Sequence, residues 1–253
     1  MLKLAVPRGG IRVGQKLISE PALVNVNAHA PARILFITDL HLRRAHTEMA
    51  DHTLAACRDS APDLIALGGD LAEYDDGLEL FLSKLRSVFP RTPAYSVPGN
   101  NDDALLGGDR NAQTLVYEKY GCEYLLNRTA RIRLNGRDIE LAGTEDAYTH
   151  MIPDQSLFSE DAQAYRLLLS HAPHAFLRAW QADLMLCGHT HGGQINILGF
   201  TCYFLPVYER SFAYAHIAGA KRFGRTLMLV SRGIGYSKLP LRIGARSEVH
   251  VIT

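Results

Sequence analysis

The sequence has few cysteines, no long apolar run and almost no net charge. Its four cysteines are widely spaced and form no C-x-x-C pair, which argues against a thiolate zinc site or a disulfide framework and predicts buried free thiols. No window approaches the roughly 20 apolar residues that a membrane-spanning helix needs. The near balance of 27 basic and 26 acidic residues excludes the global positive field of proteins that bind nucleic acid in bulk.

The first thirty residues also lack the apolar core of a signal peptide, because Pro7, Gly9, Gly10 and Gly14 interrupt them. We expect residues 1–31 to form an N-terminal extension or an edge hairpin, followed by a motif-bearing core at 32–253. No linker or repeat divides the chain, so residues 1–253 are predicted to form one domain. The expected location is the cytoplasm, with peripheral membrane contact left open.

Short β-branched and aliphatic runs alternate with amphipathic segments, which predicts a layered α/β fold. The second half is richer in strands, and Asn135-Gly136 separates two alternating runs in the manner of a hairpin turn. Strands are predicted at 32–39, 63–70, 94–99, 165–173, 183–191, 225–235 and 247–253, the hairpin at 131–143, and helices at 47–60 and 77–89.

Polar residues follow the predicted strands where each apolar run stops. Each alone has an ordinary explanation as a helix cap, a turn residue or a core histidine. Together they form an oxygen-and-imidazole set suited to Mn, Fe or Zn, too large for one catalytic ion and suitable for two that share a carboxylate. The set is Asp39, His41, Asp70, Asn100, His171, His189 and His191.

The order D-x-H, G-G-D, G-N-x-D, a lone His and G-H-x-H, from Asp39 to His191, resembles the calcineurin-like metallophosphoesterase superfamily. The stretch G-G-Q-I-N-I-L-G and residues 231–253 are similar to its bacterial branch of membrane- or cell-wall-associated enzymes of the YkuE and YaeI type. This resemblance implies an α/β fold, a four-layered αββα sandwich of two mixed sheets flanked by helices. It also implies two divalent ions, with Mn²⁺ favoured over Fe or Zn.

The resemblance further assigns a role to each matching residue. One ion would be held by Asp39, His41 and His191, the other by Asn100, His171 and His189, with Asp70 bridging them. The implied reaction is in-line attack of metal-bound hydroxide on phosphorus in a phosphorylated small-molecule or lipid-linked substrate. Two cations about 3.5–4 Å apart suit that chemistry because they neutralise phosphate charge and lower the pKa of water.

Asn101 occupies a position where many relatives carry a histidine that is thought to protonate the leaving oxygen. A carboxamide cannot deliver a proton, so we expect a phosphodiester or pyrophosphate substrate, whose leaving group departs without one. His46, His150 or His174 is the alternative acid, and activation of the leaving oxygen by a metal is another. Asp102 is expected to orient a ligand or to serve as a turn residue.

The substrate-binding side chains are less defined. Arg43 and Arg44 either bind phosphate or are solvated, and the aromatic-rich stretch 200–219 either lines a lipid-binding groove or packs between strands. Alternative functions are a UDP-2,3-diacylglucosamine-type pyrophosphate hydrolase of lipid metabolism, a cyclic-nucleotide hydrolase, and a non-catalytic scaffold with this fold. A scaffold is disfavoured because all seven ligand positions are occupied.

Overall fold

The computed structural model describes residues 21–153, 155–160, 163–178, 181–197, 200–201 and 216–253. Most of the aromatic-rich stretch, residues 202–215, and residues 1–20 lie outside these ranges. The described strands are β1 (Ala22–Val26), β2 (Ile34–Ile37), β3 (Leu64–Leu67), β4 (Ala94–Ser96), β5 (Cys122–Tyr124), β6 (Arg128–Leu134), β7 (Arg137–Gly143), β8 (Tyr165–Leu169), β9 (Leu184–Cys187), β10 (Asn196–Ile197), β11 (Phe200–Thr201), β12 (Gly219–Phe223), β13 (Thr226–Val230) and β14 (Glu248–Ile252). The α-helices are α1 (Glu48–Cys57), α2 (Asp75–Val88) and α3 (Arg110–Lys119).

Two six-stranded mixed sheets form the centre of the molecule. The first has the spatial order β1, β14, β2, β3, β4, β5, in which β2 to β5 run parallel and β14 is antiparallel to β2. The second has the order β12, β13, β9, β8, β7, β6, with a parallel centre between two antiparallel edge pairs. The predicted α/β fold of two mixed sheets flanked by helices is confirmed.

The central strands β2, β3 and β4 of the first sheet are buried on both faces, which explains the continuous apolar sequences of β2 and β3. In β2, Leu35 and Ile37 pack in the layer that contains the helices, whereas Ile34 and Phe36 pack between the two sheets. The opposite face of the second sheet carries a third apolar cluster, covered in part by the 3₁₀ helix Pro173–Arg178.

The helices on the first sheet follow from their sequence periodicity. On α2, residues at helical spacing are buried (Leu78, Phe81, Leu82 and Leu85), and two aspartates occupy its first turn, where the helix dipole favours negative charge. The side chain of Asp109 caps α3 by accepting from the amide of Asn111 at 2.8 Å. None of the helices in the described ranges combines the length and hydropathy that crossing a bilayer requires.

Both ends of the described chain meet in the first sheet. The edge strand β1 lies parallel to the C-terminal strand β14, with Ala22 opposite Glu248 and Val26 opposite Ile252. The described part of the predicted N-terminal extension thus contributes a single edge strand. The carboxyl ends of β2, β3 and β4 carry the predicted site residues of this sheet, and those of β8 and β9 carry the residues of the second.

Candidate metal centre

The site residues lie where the backbone bends away from the strand ends. Five of them adopt left-handed conformations, with φ between 45° and 68°, which is costly for residues other than glycine and is typical of functional sites. Backbone hydrogen bonds hold these bends, including His41 N to Asp70 O at 2.9 Å and Gly235 N to Asp39 O at 2.7 Å. The five are Asp39, His41, Asp70, His189 and His191.

Two glycines of the motifs allow the carboxylates to approach the backbone. A Cβ added at Gly99 would come within 2.2 Å of Asp70 Oδ1, and one added at Gly188 within 2.1 Å of Asp39 Oδ2. No side chain fits at either position without displacing a carboxylate. The glycines of G-N-x-D and G-H-x-H are therefore explained by packing against the candidate ligands.

One group of possible ligand atoms is formed by Asp39, His41 and His191, the three residues that the family resemblance assigned to one ion. All three are buried. The two Nε2 atoms of the histidines lie 3.2 Å apart, and that of His191 lies 3.6 Å from Asp39 Oδ1. An ion between them would have two imidazoles and a carboxylate within reach.

A second buried group shares Asp39 with the first and adds Asp70 and His171. His171 Nε2 lies 3.4 Å from Asp70 Oδ2 and 3.1 Å from Asn100 Oδ1. Asn100 Oδ1 also lies 2.8 Å from His189 Nδ1. All seven predicted ligand residues therefore meet at one edge, and Asp70 lies between the groups because His41 Nε2 is 3.6 Å from its Oδ2.

The outer nitrogens of two imidazoles are held by groups that accept hydrogen bonds. His41 Nδ1 donates to Glu73 Oε1 and His171 Nδ1 donates to the carbonyl of Gly68 at 2.8 Å, so each Nε2 is free to face the centre. His191 Nδ1 instead accepts from the Arg242 guanidinium at 2.9 Å. Glu73 lies outside the five motifs, and Arg242 belongs to the stretch 231–253, whose resemblance assigned no role to any single residue.

The charges in this cluster influence one another strongly. Burial disfavours a charged ring at His171, but the Asp70 carboxylate outweighs burial and raises the pKa of His171 well above its usual value. Burial, His41 and Arg242 together hold the pKa of His191 well below its usual value. Burial also opposes ionisation of Asp70, yet His171 and His41 keep its pKa below the usual range. Without metal, the site therefore favours a negative Asp70 and an uncharged His191.

Asn101 and Asp102 contact the shared carboxylate and its backbone. The Asn101 side chain donates to Asp70 Oδ2 at 2.6 Å, and its backbone amide donates to Asp70 Oδ1 at 2.8 Å. Asp102 is buried and accepts from the amide of Gly99 at 2.7 Å, which fixes the turn that carries Asn100. Burial and the charge of Asp70 raise the pKa of Asp102.

The two predicted substrate-binding arginines have protein partners. Arg43 donates to the carbonyl of Ser237 at 2.7 Å and lies 3.5 Å from Glu73. Arg44 is exposed and lies over the ring of Tyr74. Arg43 is thus connected to the centre through Glu73, whereas Arg44 belongs to the surface.

The three histidines considered as alternative acids lie at different places. The ring of His174 is 6.3 Å from that of His189, with Tyr148 4.6 Å from the same ring. His150 is 3.8 Å from Asp103, and His46 faces Tyr236. His174 therefore has a ring contact with the candidate ligand His189.

The donor set fits divalent cations. Oxygen and imidazole donors converge, they are buried, and two imidazoles are oriented with Nε2 inward by their outer hydrogen bonds. The described cluster contains no thiolate, in agreement with a catalytic rather than a closed structural site.

Comparison with known proteins finds relatives that align with most of this chain. The phosphodiesterase YaeI of Escherichia coli K12 is 32% identical over 231 residues, which cover 88% of this chain and 82% of YaeI. Metallophosphoesterase YkuE of Bacillus subtilis 168 is 28% identical over 236 residues, covering 87% and 78% of the two chains. Among solved structures, the phosphopantetheinyl hydrolase PptH of Mycobacterium tuberculosis aligns with a TM-score of 0.47 and 12% identity, over 78% of this chain and 88% of PptH.

The calcineurin-like phosphoesterase family matches residues 32–193, a range that contains all seven candidate ligands. The resemblance predicted from the five motifs is thereby confirmed. This chain belongs to the calcineurin-like phosphoesterase family and is a metal-dependent phosphoesterase.

Proposed function

We propose that the protein hydrolyses a phosphodiester or a pyrophosphate bond at a centre of two divalent ions. The observation that carries this proposal is the buried meeting of Asp39, His41, Asp70, His171 and His191 at one edge of both sheets. Asp39, His41 and His191 would hold one ion, and Asn100, His171 and His189 the other. Asp70 would be shared, and Mn²⁺ is the favoured metal.

When bound, two such ions supply Lewis-acid charge that activates water and neutralises the phosphate. The protein's role is to position the side chains that would hold these ions. Glu73 and the Gly68 carbonyl fix two imidazoles, while the Asn101 amide and side chain fix both oxygens of Asp70. Asp102 accepts a hydrogen bond from the Gly99 amide and thereby holds the turn that carries Asn100 and Asn101.

The substrate preference follows from Asn101. Its carboxamide is hydrogen-bonded to Asp70 and has no proton to deliver to a leaving oxygen. General acid catalysis is typically worth about 10²- to 10⁴-fold in rate, so alkyl monoesters would be turned over slowly. Diesters and pyrophosphates with acidic leaving groups need no such proton.

The runner-up is a lipid-linked pyrophosphate of the UDP-2,3-diacylglucosamine type. That YaeI is named a phosphodiesterase supports a diester or pyrophosphate substrate.

A non-catalytic scaffold is the alternative from another functional class, and the complete set of donor residues argues against it. The pairing of β1 with β14 supports the proposal of one domain for the described residues from Ala22 onward. The buried free thiols Cys57, Cys122 and Cys187 support a reducing compartment such as the cytoplasm.

The decisive experiment compares three substrates with the Mn²⁺-loaded protein: bis-p-nitrophenyl phosphate, p-nitrophenyl phosphate and an alkyl phosphate monoester. We expect the highest kcat/KM for the diester and the lowest for the alkyl monoester. Asp70→Asn should abolish hydrolysis, whereas Asp59→Asn, at a carboxylate that is 95% exposed, should leave it unchanged. Metal analysis of the same samples separates an inactive scaffold from an unloaded enzyme.

Faster hydrolysis of the alkyl monoester than of the diester would contradict the substrate proposal. Protein that binds no metal, or that hydrolyses none of the three substrates when loaded, would favour the scaffold.

A further inference from the structure

The loop of residues 237–243, which we call the apolar loop, exposes large hydrophobic side chains beside the metal centre. Leu239 is 56% exposed and Leu241 41% exposed, and Pro240 between them is also exposed. Ile197 on β10, 51% exposed, belongs to the neighbouring segment, since Asn196 N donates to the Ile243 carbonyl at 2.7 Å. Isolated exposed leucines are ordinary, but two leucines and a proline exposed on one loop at the rim of a site indicate an interaction surface.

A buried side chain, that of Gln194, holds the backbone of the apolar loop. Gln194, only 2% exposed, donates to the Leu239 carbonyl at 2.9 Å and accepts from the Ser237 amide at 2.8 Å. Its own carbonyl accepts from the Ile243 amide at 2.9 Å. The backbone of the apolar loop is therefore fixed at three points while its leucines point outward.

Arg242 fixes the same loop from inside. Its guanidinium donates to the carbonyls of Gly235 and Ala245, at 2.5 and 3.2 Å, and to His191 Nδ1 at 2.9 Å. Gln194 N also donates to the His191 carbonyl at 3.0 Å. The loop and a candidate metal ligand thus share one rigid unit, and whatever binds the leucines lies next to the centre.

The charged residues near the leucines indicate which kind of partner this surface binds. Residues 231–247 contain no acidic residue and four cations, in a chain whose net charge is only +1. Arg232 is paired with Glu248 and Arg242 is turned inward, but Lys238 and Arg246 are exposed. Exposed apolar side chains flanked by cations match a bilayer surface that contains anionic lipids, where leucines enter the acyl boundary and cations contact headgroups.

We propose that the apolar loop docks the protein on an anionic lipid bilayer and places the metal centre at the membrane surface. The contact is peripheral, since it involves a loop tip. It does not depend on the proposed function, because vesicle binding can be measured without catalysis.

Co-sedimentation with vesicles tests the docking. The full chain is mixed with vesicles of phosphatidylcholine and phosphatidylglycerol, and separately with vesicles of phosphatidylcholine alone. We expect binding to the mixed vesicles that weakens on raising salt. The double variant Leu239→Ser/Leu241→Ser should bind about tenfold or more weakly. The matched control is Leu115→Ser on α3, 67% exposed and on another element, which should bind like the wild type.

A second measurement reports insertion directly. The fluorescence of Leu239→Trp should shift to the blue when mixed vesicles are added, and that of Leu115→Trp should not. Equal vesicle binding by the double serine variant, or no binding by the wild type, would overturn the proposal. A wild-type dimer in light scattering that the double variant abolishes would overturn it too, because the loop would then be an interface between copies.

Discussion

At the residue scale, Glu73 determines how His41 faces the centre. Its carboxylate accepts from His41 Nδ1, and this hydrogen bond also lowers the pKa of Glu73. When one ring nitrogen of an imidazole binds a metal, a hydrogen bond from the other ring nitrogen to a carboxylate orients the ring and increases its basicity. The conformation of His41 is therefore supported by a residue that takes no direct part in the donor set.

We predict that Glu73→Ala lowers metal affinity about 10- to 100-fold, because the His41 ring loses its fixed orientation. Glu73→Gln keeps an acceptor oxygen, so its metal affinity should lie between those of Glu73→Ala and the wild type. Competition with a chelating dye, followed as Mn²⁺ is added, gives the affinities. The control is Asp76→Asn, at a carboxylate that is 83% exposed and pairs with Arg44 on the surface. Equal affinity in Glu73→Ala and the wild type would remove Glu73 from this role.

At the element scale, the strands that the sequence predicts are those with a regular pattern of burial. β2, β3 and β4 are buried on both faces, while the hairpin of β6 and β7 follows from alternating residues around the Asn135-Gly136 turn. The candidate ligands can be identified in the same way, since each lies two to four residues after the observed end of a predicted strand. Elements with mixed environments were missed, among them α3, half-exposed β1 and three-residue β5.

The supporting residues of the site could not be found in this way, for a physical reason. Arg242 reaches His191 across 51 positions of sequence, and the contact depends on how the last loop packs on the strand ends. Periodicity and local turn chemistry carry no information about such a contact. Asn101 departs from the family motif in the sequence itself, but its hydrogen bond to Asp70 depends on the three-dimensional arrangement.

The start of β14 illustrates the electrostatics of an element boundary. Glu248 is 4% exposed and accepts from the Arg232 side chain at 2.7 Å and from the Arg232 amide at 2.8 Å. Burial opposes its ionisation, but His250 and the Arg232 amide outweigh burial and lower the pKa of Glu248 to about 2. The ionised carboxylate thus fastens β14 to the loop that follows β13.

We predict that Glu248→Gln lowers the free energy of unfolding by about 2 kcal/mol at pH 7. Because the pKa of Glu248 is lower in the folded than in the unfolded protein, its contribution is complete above the ordinary value of 4.5 and is lost as pH falls towards 2. Urea unfolding at a series of pH values from 7 to about 3.5 should show the two proteins converging below pH 4.5. The exposed Glu118→Gln on α3 serves as control. A difference that stays constant over this range would contradict the assignment.

At the scale of the whole molecule, the centre joins two sheets that otherwise meet through apolar packing. Asp39, His41, Asp70 and Asn100 follow strands of the first sheet, and the other three ligands follow strands of the second. In the absence of metal, buried carboxylates and imidazoles face one another there, an arrangement that favours a bound cation. Ions held between the sheets would therefore stabilise the folded chain as a unit, since the unfolded chain does not bring these donors together.

We predict that metal raises the melting temperature of chelator-treated protein. At a free Mn²⁺ concentration about 100 times the dissociation constant, one site contributes about 2.7 kcal/mol, or roughly 5–10 °C for a domain of this size. Scanning calorimetry with increasing Mn²⁺ measures the shift. Asp70→Asn removes the carboxylate proposed to be shared by both ions and should abolish most of the increase, while Asp59→Asn should retain it. If Asp70→Asn were stabilised as strongly as the wild type, the cation would be binding elsewhere, and the two sheets would be held together by their apolar core alone.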